Sequence, residues 1–189
     1  GTLPRPKRTI LVGHWNGEEQ GLNGSKAFSE DHPEVVAGLQ ALFNQDNGTG
    51  RIQSVSGSGG LAGINQHLQR WRSMLPDEIS NAVQFRAPAT IPGNPGGTDG
   101  AVFACFGTPS FGMGAVGWNY STYTWHTNRD TYDKVVFDDL KHNATLAATM
   151  AYLASEDPEF IKRDRSPGTW PANWPANCGK VPRKTKPRY

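Results

Sequence analysis

Apolar residues along the 189-residue chain form short runs and helix-like spacings, separated by stretches rich in glycine and proline. The continuous run Ile10-Leu11-Val12 predicts a strand that is covered on both faces. Further runs at residues 39–43, 81–88 and 108–116 predict three more strands. The chain therefore reads as a globular domain with strands spread along most of its length.

Helical spacing marks the segments between these strands. A short helix is predicted at residues 25–32, ending at Pro33, and another at residues 99–107. Residues 54–60, of sequence SVSGSGG, predict a flexible loop. The two clearest apolar helix faces are Leu61, Ile64, Leu68, Trp71 and Leu75 in one segment, and Leu140, Ala144, Ala147, Ala151 and Tyr152 in a later one.

Strands that alternate with helices predict an α/β fold, a three-layer α/β/α sandwich around a mixed, mostly parallel sheet. We place this domain at residues 1–156 and expect a Pro/Trp-rich basic tail at residues 157–189. The chain opens almost directly on a predicted core strand. We therefore expect the sheet to be incomplete on its N-terminal side, and the chain to be the later part of a longer polypeptide.

Charge and cysteine content narrow the function classes. The net charge of +2 is too small to indicate nucleic-acid binding over the whole body, and no apolar run reaches membrane-spanning length. We expect neither nucleic acid nor a membrane as a partner. Cys105 lies in an apolar stretch where a buried free thiol is the default, and pairing with Cys178 in an oxidising compartment is left open.

Acidic residues follow two of the predicted strands. Glu18 and Glu19 come after the first apolar run, and Asp46 comes after the second. Ligands of open α/β sheets bind beyond the carboxyl ends of strands. Adjacent side chains in extended backbone point in different directions, so one glutamate can bind a cation while the other faces it. Taken singly, the glutamates read as exposed loop charges and Asp46 as a turn residue.

One histidine adds to this set. His126 lies between an aromatic cluster and further acids, a setting in which a single histidine is more often structural. Together with glutamate and aspartate, however, it forms a ligand set that suits zinc. Asp99 and Asp130 could orient such ligands, or could begin helices instead.

Four stretches, in this order and at about these spacings, resemble the M28 family of zinc peptidases. That family includes bacterial aminopeptidases and, more distantly, glutamate carboxypeptidases and glutaminyl cyclases. The resemblance implies the phosphorylase/hydrolase-like fold of zinc exopeptidases and covers most of the predicted domain. The stretches are RTILVGHWNGEEQGLNGS, LFNQDNGTG, TDGAVFACFGTPSF and WHTNRDTYDKV.

The resemblance implies a role for each candidate residue. Glu18 falls on the general base, Glu19 and His126 on ligands of one zinc ion, and Asp46 on a ligand of a second. Two zinc ions, about 3.5–4 Å apart in such sites, would polarise the scissile carbonyl and activate a water molecule. Glu18 would pass the proton of that water to the leaving amine.

The chain also departs from the family pattern. The family has two further ligands upstream of the glutamate pair, a histidine and an aspartate that bridges the metals, and neither precedes Arg8. His14 lies where the family has no ligand, and we interpret it as structural. The full two-zinc ligand set is therefore not present in this chain. We expect the missing N-terminal part of the same domain as a partner, and the isolated chain's metal binding and activity stay open.

A second departure concerns the residue before the histidine. Several relatives have tyrosine there, and a tyrosine hydroxyl can donate to a developing oxyanion. Here the residue is Trp125, so its indole N–H, or the hydroxyl of Tyr123 or Tyr120, would take that role. The alternative for each ring is packing around the pocket mouth.

The expected function is that of a zinc-dependent exopeptidase acting on peptide substrates, with aminopeptidase activity favoured. Carboxypeptidase or dipeptidase activity is an alternative, because Arg86 and Arg129 could bind a terminal carboxylate. Glutaminyl cyclase chemistry is a further alternative. From another class, a non-catalytic binding or assembly domain would explain the missing ligands. The family resemblance favours a secreted or periplasmic location.

Overall fold

The computed structural model describes residues 4–57, 60–86 and 97–164. These residues form a small sheet with helices around it. The strands are β1 (Leu42–Asn44), β2 (Ile52–Gly57), β3 (Gln84–Arg86) and β4 (Ser110–Ala115). The helices are α1 (Asn23–Asp31), α2 (Pro33–Gly38), α3 (Ile64–Arg72), α4 (Asp77–Ser80), α5 (Asp99–Cys105), α6 (Tyr120–Tyr123) and α7 (Phe137–Glu156), with a 3-10 turn at Tyr132–Lys134.

The sheet has the strand order β1-β4-β2-β3. Strand β1 pairs with β4 in parallel, and β2 pairs with β3 in parallel. The central pair, β2 with β4, is antiparallel. The predicted mixed and mostly parallel sheet is confirmed, and with it the α/β class.

Helices cover both faces of this sheet. Neighbouring residues of β1 point to opposite faces, so Leu42 and Phe43 pack into different apolar clusters. The smaller cluster, on the Leu42 face, holds Val36 of α2 with Val102 and Phe103 of α5. The larger cluster, on the Phe43 face, includes Val55, Leu68, Trp71, Phe111, Leu146 and Met150 from the sheet, α3 and α7. This arrangement is the predicted three-layer sandwich.

The first predicted strand does not form. Residues 9–14 have no regular secondary structure, and Ile10, Leu11 and Val12 are 44%, 57% and 82% exposed. The prediction of a strand covered on both faces is wrong for the described part of the chain. A strand needs a neighbour for its backbone groups, and no described strand pairs with this run.

This exposed run is held at both ends. On one side, Arg8 Nη1 donates to the carbonyl oxygens of Ser155 and Asp157, each at 2.7 Å, at the C-terminal end of α7. These carbonyls have no partner within the helix, so the guanidinium caps it. On the other side, Trp15 packs against Phe28, with ring centroids 5.2 Å apart. The segment is therefore extended between two fixed points.

The predicted flexible loop at residues 54–60 is also wrong. Its first part belongs to β2, which pairs on both sides, and Val55 is fully buried. Small residues serve close packing here, because a methyl group added at Gly114 of β4 would lie 2.6 Å from Ser54 Oγ. Serine and glycine predict a loop here, whereas in the structure their small size allows these two strands to approach each other.

The long helix α7 forms where predicted, but with another face buried. Leu140 is 45% exposed, whereas Asn143, Leu146 and Met150 are buried. Asn143 faces the core because its amide bonds to the backbone of the turn before β2. Its Oδ1 accepts from Ile52 N at 2.8 Å, and its Nδ2 donates to Gly50 O at 2.9 Å. The hydrogen bonds of the buried Asn143 amide thus set the rotation of α7 about its axis, which the apolar spacing did not predict.

Packing continues beyond α7. Asp157 and Ile161 are buried, and the Gln40 amide bonds to the backbone of Glu159 and Ile161 at 2.8 and 3.0 Å. The division at residue 156/157 stays a prediction, and residues 165–189 of the predicted tail lie outside the described residues. In the described part of the chain, no helix combines the length and apolar character needed to span a membrane.

Cys105 differs from its sequence interpretation. It is buried, as predicted, but it is disulfide-bonded rather than a free thiol. The free-thiol prediction is therefore wrong. Cys178, which is the other cysteine of the sequence, lies outside the described residues.

Candidate metal centre

The two adjacent glutamates lie in a tight turn before α1. The carbonyl oxygen of Glu18 accepts hydrogen bonds from the backbone N–H groups of Gly21 and Leu22, at 2.9 and 2.8 Å. Gly17 enters the turn with φ 66° and Gly21 leaves it with φ 107°, a range that favours glycine. The turn replaces the extended backbone assumed from the sequence. It leaves Glu18 half-buried and Glu19 exposed.

Asp46 lies just beyond the end of β1. It belongs to a turn at residues 45–50, in which Gly48 has φ 75°. With its amide oriented to satisfy both atoms, Asn47 donates to Met113 O at 3.2 Å and accepts from Ala115 N at 3.1 Å. These bonds fasten the turn to β4.

His126 lies in the loop that follows β4, at residues 116–126. Because β1 and β4 are parallel neighbours, their carboxyl ends meet at one edge of the sheet. Asp46 and His126 follow those two ends. The backbone N–H of Trp125 donates to the carbonyl oxygen of Tyr120 at 2.9 Å, which closes the turn before the histidine.

The structure brings Glu19 and His126 into direct contact. His126 Nε2 lies 2.6 Å from Glu19 Oε1. Both side chains are about half exposed, at 49% for the histidine and 58% for the glutamate. An exposed pair of this kind adds little to stability.

Negative charge accumulates around this pair. Partial burial raises the pKa of Glu18, and the carboxylates of Asp46, Glu19 and Asp99 raise it further, while His126 acts in the opposite direction. The pKa of Asp46 is raised in the same way, first by desolvation and then by Asp99 and Glu19. Ionised carboxylates crowded together favour a bound cation.

Asp99 is a buried member of this group. It is the first residue of α5, after the N-cap Thr98, and its Oδ1 accepts a hydrogen bond from Ser25 Oγ at 2.5 Å. Ser25 lies in α1, in the turn after the glutamates, and is fully buried. No sequence motif singles out this serine. Its bond joins the glutamate turn to α5.

The aromatic candidates differ in their surroundings. Trp125 and Tyr123 are 49% and 51% exposed, and the Trp125 ring lies 4.1 Å from that of His126. Tyr120 is half-buried, and its pKa is raised by desolvation and then by Asp130, Asp46 and Glu19. Tyr120 is thus close to the acidic group, and Asp130 lies beside it.

The chemistry of these donors fits zinc. Carboxylate and imidazole groups are its usual ligands together with thiolates, and the raised pKa values of Glu18 and Asp46 reflect charge that a cation would offset. Glu19 and His126 would hold the ion. Across residues 4–57, 60–86 and 97–164, no three acidic, histidine or cysteine side chains form a ready-made ligand cluster.

The two candidate arginines belong to different parts of the fold. Arg86 is in β3 and its Nε donates to Ser56 Oγ at 3.4 Å, with β2 and β4 between it and β1. Arg129 follows the His126 loop, and its guanidinium lies over the Tyr123 ring at 5.2 Å. His14 is exposed, in the irregular segment before the glutamates.

Comparison with known families decides where the chain belongs. The family model described as Peptidase family M28 matches residues 2–151. The chain is a member of peptidase family M28. This M28 chain is also similar to a curated protein named glutamate carboxypeptidase 2 homolog, from Caenorhabditis briggsae. The two are 27% identical over 150 residues, which are 68% of this chain and 18% of that protein.

A solved structure has the same fold as this M28 chain. It is the crystal structure of a peptidase M28 precursor from Shewanella amazonensis SB2B, with a TM-score of 0.67 and 20% sequence identity. The match covers 81% of this chain and 32% of the other. The M28 chain thus spans less than a third of the length of either relative.

Proposed function

We propose that this M28 chain carries the zinc-binding and proton-transfer part of an exopeptidase, with aminopeptidase activity. The observation behind the proposal is the 2.6 Å contact between His126 Nε2 and Glu19 Oε1, formed beside Glu18 and Asp46 at one sheet edge. Residues distant in sequence meet there in a donor set typical of zinc peptidases.

In the proposed reaction, Glu19 and His126 would hold a zinc ion and Asp46 would contribute to a second. Bound zinc supplies Lewis acidity toward the scissile carbonyl and the attacking water. Glu18 accepts a proton from that water and delivers it to the leaving amine.

The acidic surroundings favour an aminopeptidase. The free α-amino group of such a substrate is positively charged and needs an acidic partner. Asp99 and Asp130 lie near the edge where Glu19 meets His126. Their combined charge would attract the amino end of a peptide.

A carboxypeptidase is the second candidate, and Arg129 favours it. A terminal carboxylate needs a cationic partner, and Arg129 is held over Tyr123 in the segment that follows His126. The relative named as a glutamate carboxypeptidase 2 homolog is in accord with this option. Aminoacyl anilides and N-acylated dipeptides separate the two. Cleavage of only the acylated dipeptides, with loss on Arg129→Gln, would replace the aminopeptidase proposal.

We further propose that a preceding part of the same catalytic domain completes the site and the sheet. The exposed run Ile10-Leu11-Val12 pairs with no strand in the described part of the chain, and the M28 relatives contain far more chain. Hydrogen exchange tests this proposal. The amides of residues 10–12 should exchange fast in this chain and slowly in a longer polypeptide. Equal, fast exchange in both would contradict it.

A secreted or periplasmic location is part of the proposal. Cys105 is disulfide-bonded, and disulfides persist in oxidising compartments. Protein isolated under denaturing conditions without reductant should react with no thiol reagent. One or two reactive thiols per chain in the natural source would contradict the location.

The direct test of the proposed role is Glu18→Gln. The change removes the proton-transfer group while preserving shape, so hydrolysis by the zinc-loaded protein should fall by at least about a hundredfold in kcat. Glu78→Gln makes the same change on the exposed surface of α4 and should leave kcat unaltered. Hydrolysis of aminoacyl anilides gives the readout. No zinc binding and no activity, even in a longer polypeptide, would instead indicate a non-catalytic binding domain.

A further inference from the structure

Two loops carry ligands of the proposed site without being neighbours in sequence. Asp46 belongs to the turn at residues 45–50, and His126 ends the loop at residues 116–126. The positions of these ligands relative to each other depend on how the two loops are joined. The joint is a glycine–aromatic contact.

The Tyr120 ring lies directly on the backbone of Gly48. A methyl group added at Gly48 would lie 2.9 Å from Tyr120 Cδ2 and 3.1 Å from Cγ. Real side-chain carbons essentially never approach so closely, so the contact requires a residue without Cβ. Gly48 also has φ 75°, which other residues rarely adopt.

The next glycine of the turn repeats this packing. A methyl group at Gly50 would lie 2.4 Å from Val116 O and 3.2 Å from Trp118 Cδ1. The backbone N–H of Val116 also donates to Arg51 O at 2.9 Å. The start of the His126 loop is thus fixed to the Asp46 turn by backbone contacts, and Tyr120 provides the contact nearer to the histidine.

The backbone of Tyr120 also fixes the chain just before His126. Its carbonyl oxygen accepts from Thr124 N at 3.1 Å and from Trp125 N at 2.9 Å. The following residue, His126, has φ 56°, a conformation that a non-glycine residue keeps only when its surroundings enforce it. The Tyr120 ring and carbonyl therefore connect Gly48, two residues after Asp46, to the strained backbone of His126.

We propose that Tyr120 is a positioning residue of the metal site, whose ring on Gly48 sets the separation of Asp46 from His126. The inference rests on the proposed function for its metal. The inference attributes the effect on metal affinity to the packing of the Tyr120 ring against Gly48, and not to the phenolic hydroxyl. Residues that orient metal ligands typically change metal affinity by about 10- to 100-fold when mutated.

Zinc affinity of the 189-residue chain, measured by competition with a chromophoric chelator, tests this. Tyr120→Ala removes the ring and Gly48→Ala forces it away, so each should weaken zinc binding by about tenfold or more. Tyr120→Phe keeps the ring and should retain the wild-type affinity. The double variant should lose no more than the larger single loss, because both changes remove one shared contact.

Two control variants distinguish a positioning effect on zinc affinity from a general loss of stability. Gly107→Ala introduces the same strain at φ 80° with open space around it, and Tyr132→Ala removes a 77% exposed tyrosine that packs on Phe137. Both should keep wild-type zinc affinity. Thermal unfolding of every variant reports the effect on the fold.

The outcomes distinguish the two proposals. If wild-type protein binds zinc and Tyr120→Ala binds it equally well, the positioning role is overturned. It is also overturned if Tyr120→Phe loses as much as Tyr120→Ala, or if affinity follows the unfolding midpoint across all variants, controls included. If the wild-type chain binds no zinc, the proposed function fails for this chain and the inference fails with it.

Discussion

At the scale of single residues, the buried carboxylate of Asp157 shows how this chain stabilises charge. Its Oδ2 accepts from His67 Nδ1 and Trp71 Nε1, both at 2.8 Å, and its Oδ1 from Arg70 Nη1 at 2.7 Å. Burial raises the pKa of Asp157, but hydrogen bonds from His67, the backbone N–H of Glu159 and Trp71 outweigh it, so the pKa is lowered below its ordinary value of 3.8. The network fastens the end of α7 to α3.

Asp157→Asn should therefore destabilise the protein in a pH-dependent way. Removing one partner of a buried charge pair costs about 3 kcal/mol in the free energy of unfolding. A group whose pKa is depressed on folding stabilises above its unfolded pKa, and this contribution is lost as pH falls through the folded value. The gap between variant and wild type should be full at pH 7 and 5 and shrink below about pH 4.

Chemical denaturation at pH 7, 5, 4 and 3 measures this gap. Asp138→Asn is the matched control, because Asp138 is an exposed partner of Lys141 on the same helix. It should alter the free energy of unfolding little at any pH. A gap for Asp157→Asn that stays constant from pH 7 to 3 would contradict the network's role.

Single residues also show what the sequence could and could not predict of the site. Acids after apolar runs, together with a family resemblance, predict Glu18, Glu19, Asp46 and His126 as site candidates. The structure brings them to one edge, with Glu19 on His126. Ser25 could not have been found, because its role depends on a contact with Asp99, 74 residues away.

At the scale of elements, the contact between α1 and the glutamate turn positions the proposed base. The backbone N–H of Gly24 donates to Asn16 O at 2.8 Å, and a methyl group added at Gly24 would lie 2.6 Å from that oxygen. Because the neighbour is backbone, no side-chain rotation can relieve the clash. The turn that carries Glu18 and Glu19 is therefore built around a residue without a side chain.

Gly24→Ala should displace this turn. We expect a loss of about 1–3 kcal/mol in the free energy of unfolding, typical of overpacking, together with weaker zinc binding. Gly38→Ala is the control, because nothing lies within 4 Å of the added methyl group and the residue ends α2. Thermal unfolding and zinc competition report both effects. A Gly24→Ala protein with wild-type stability and zinc affinity would show that the turn tolerates displacement.

The types and positions of most elements could be predicted from the sequence, but the rotation of α7 and the existence of β2 could not. α3, α5, β3 and β4 form where the apolar spacing placed them, because local pattern and burial agree there. The rotation of α7 was missed because Asn143 faces the core to bond the backbone near β2. β2 was missed because its serines and glycines serve close strand packing, which only the partner strand reveals.

At the scale of the whole molecule, the chain has the α/β fold of peptidase family M28. Its described sheet has four strands, and the first apolar run is exposed and pairs with none of them. The layers could be predicted because strands alternate with helices along the chain, and in β1 the neighbouring residues Leu42 and Phe43 pack into different apolar clusters. The sequence could not predict that residues 9–14 would have no strand partner among the described residues, because pairing is set by what lies next to a strand in space.

The central claim is that Glu19 and His126 hold zinc while Glu18 moves a proton. Zinc titration of the 189-residue chain and three variants tests it most directly, because each variant removes one proposed role. Wild type and Glu18→Gln should bind zinc equally, whereas Glu19→Gln and His126→Asn should each lose more than about tenfold in affinity. Wild-type zinc affinity in both Glu19→Gln and His126→Asn would contradict the account.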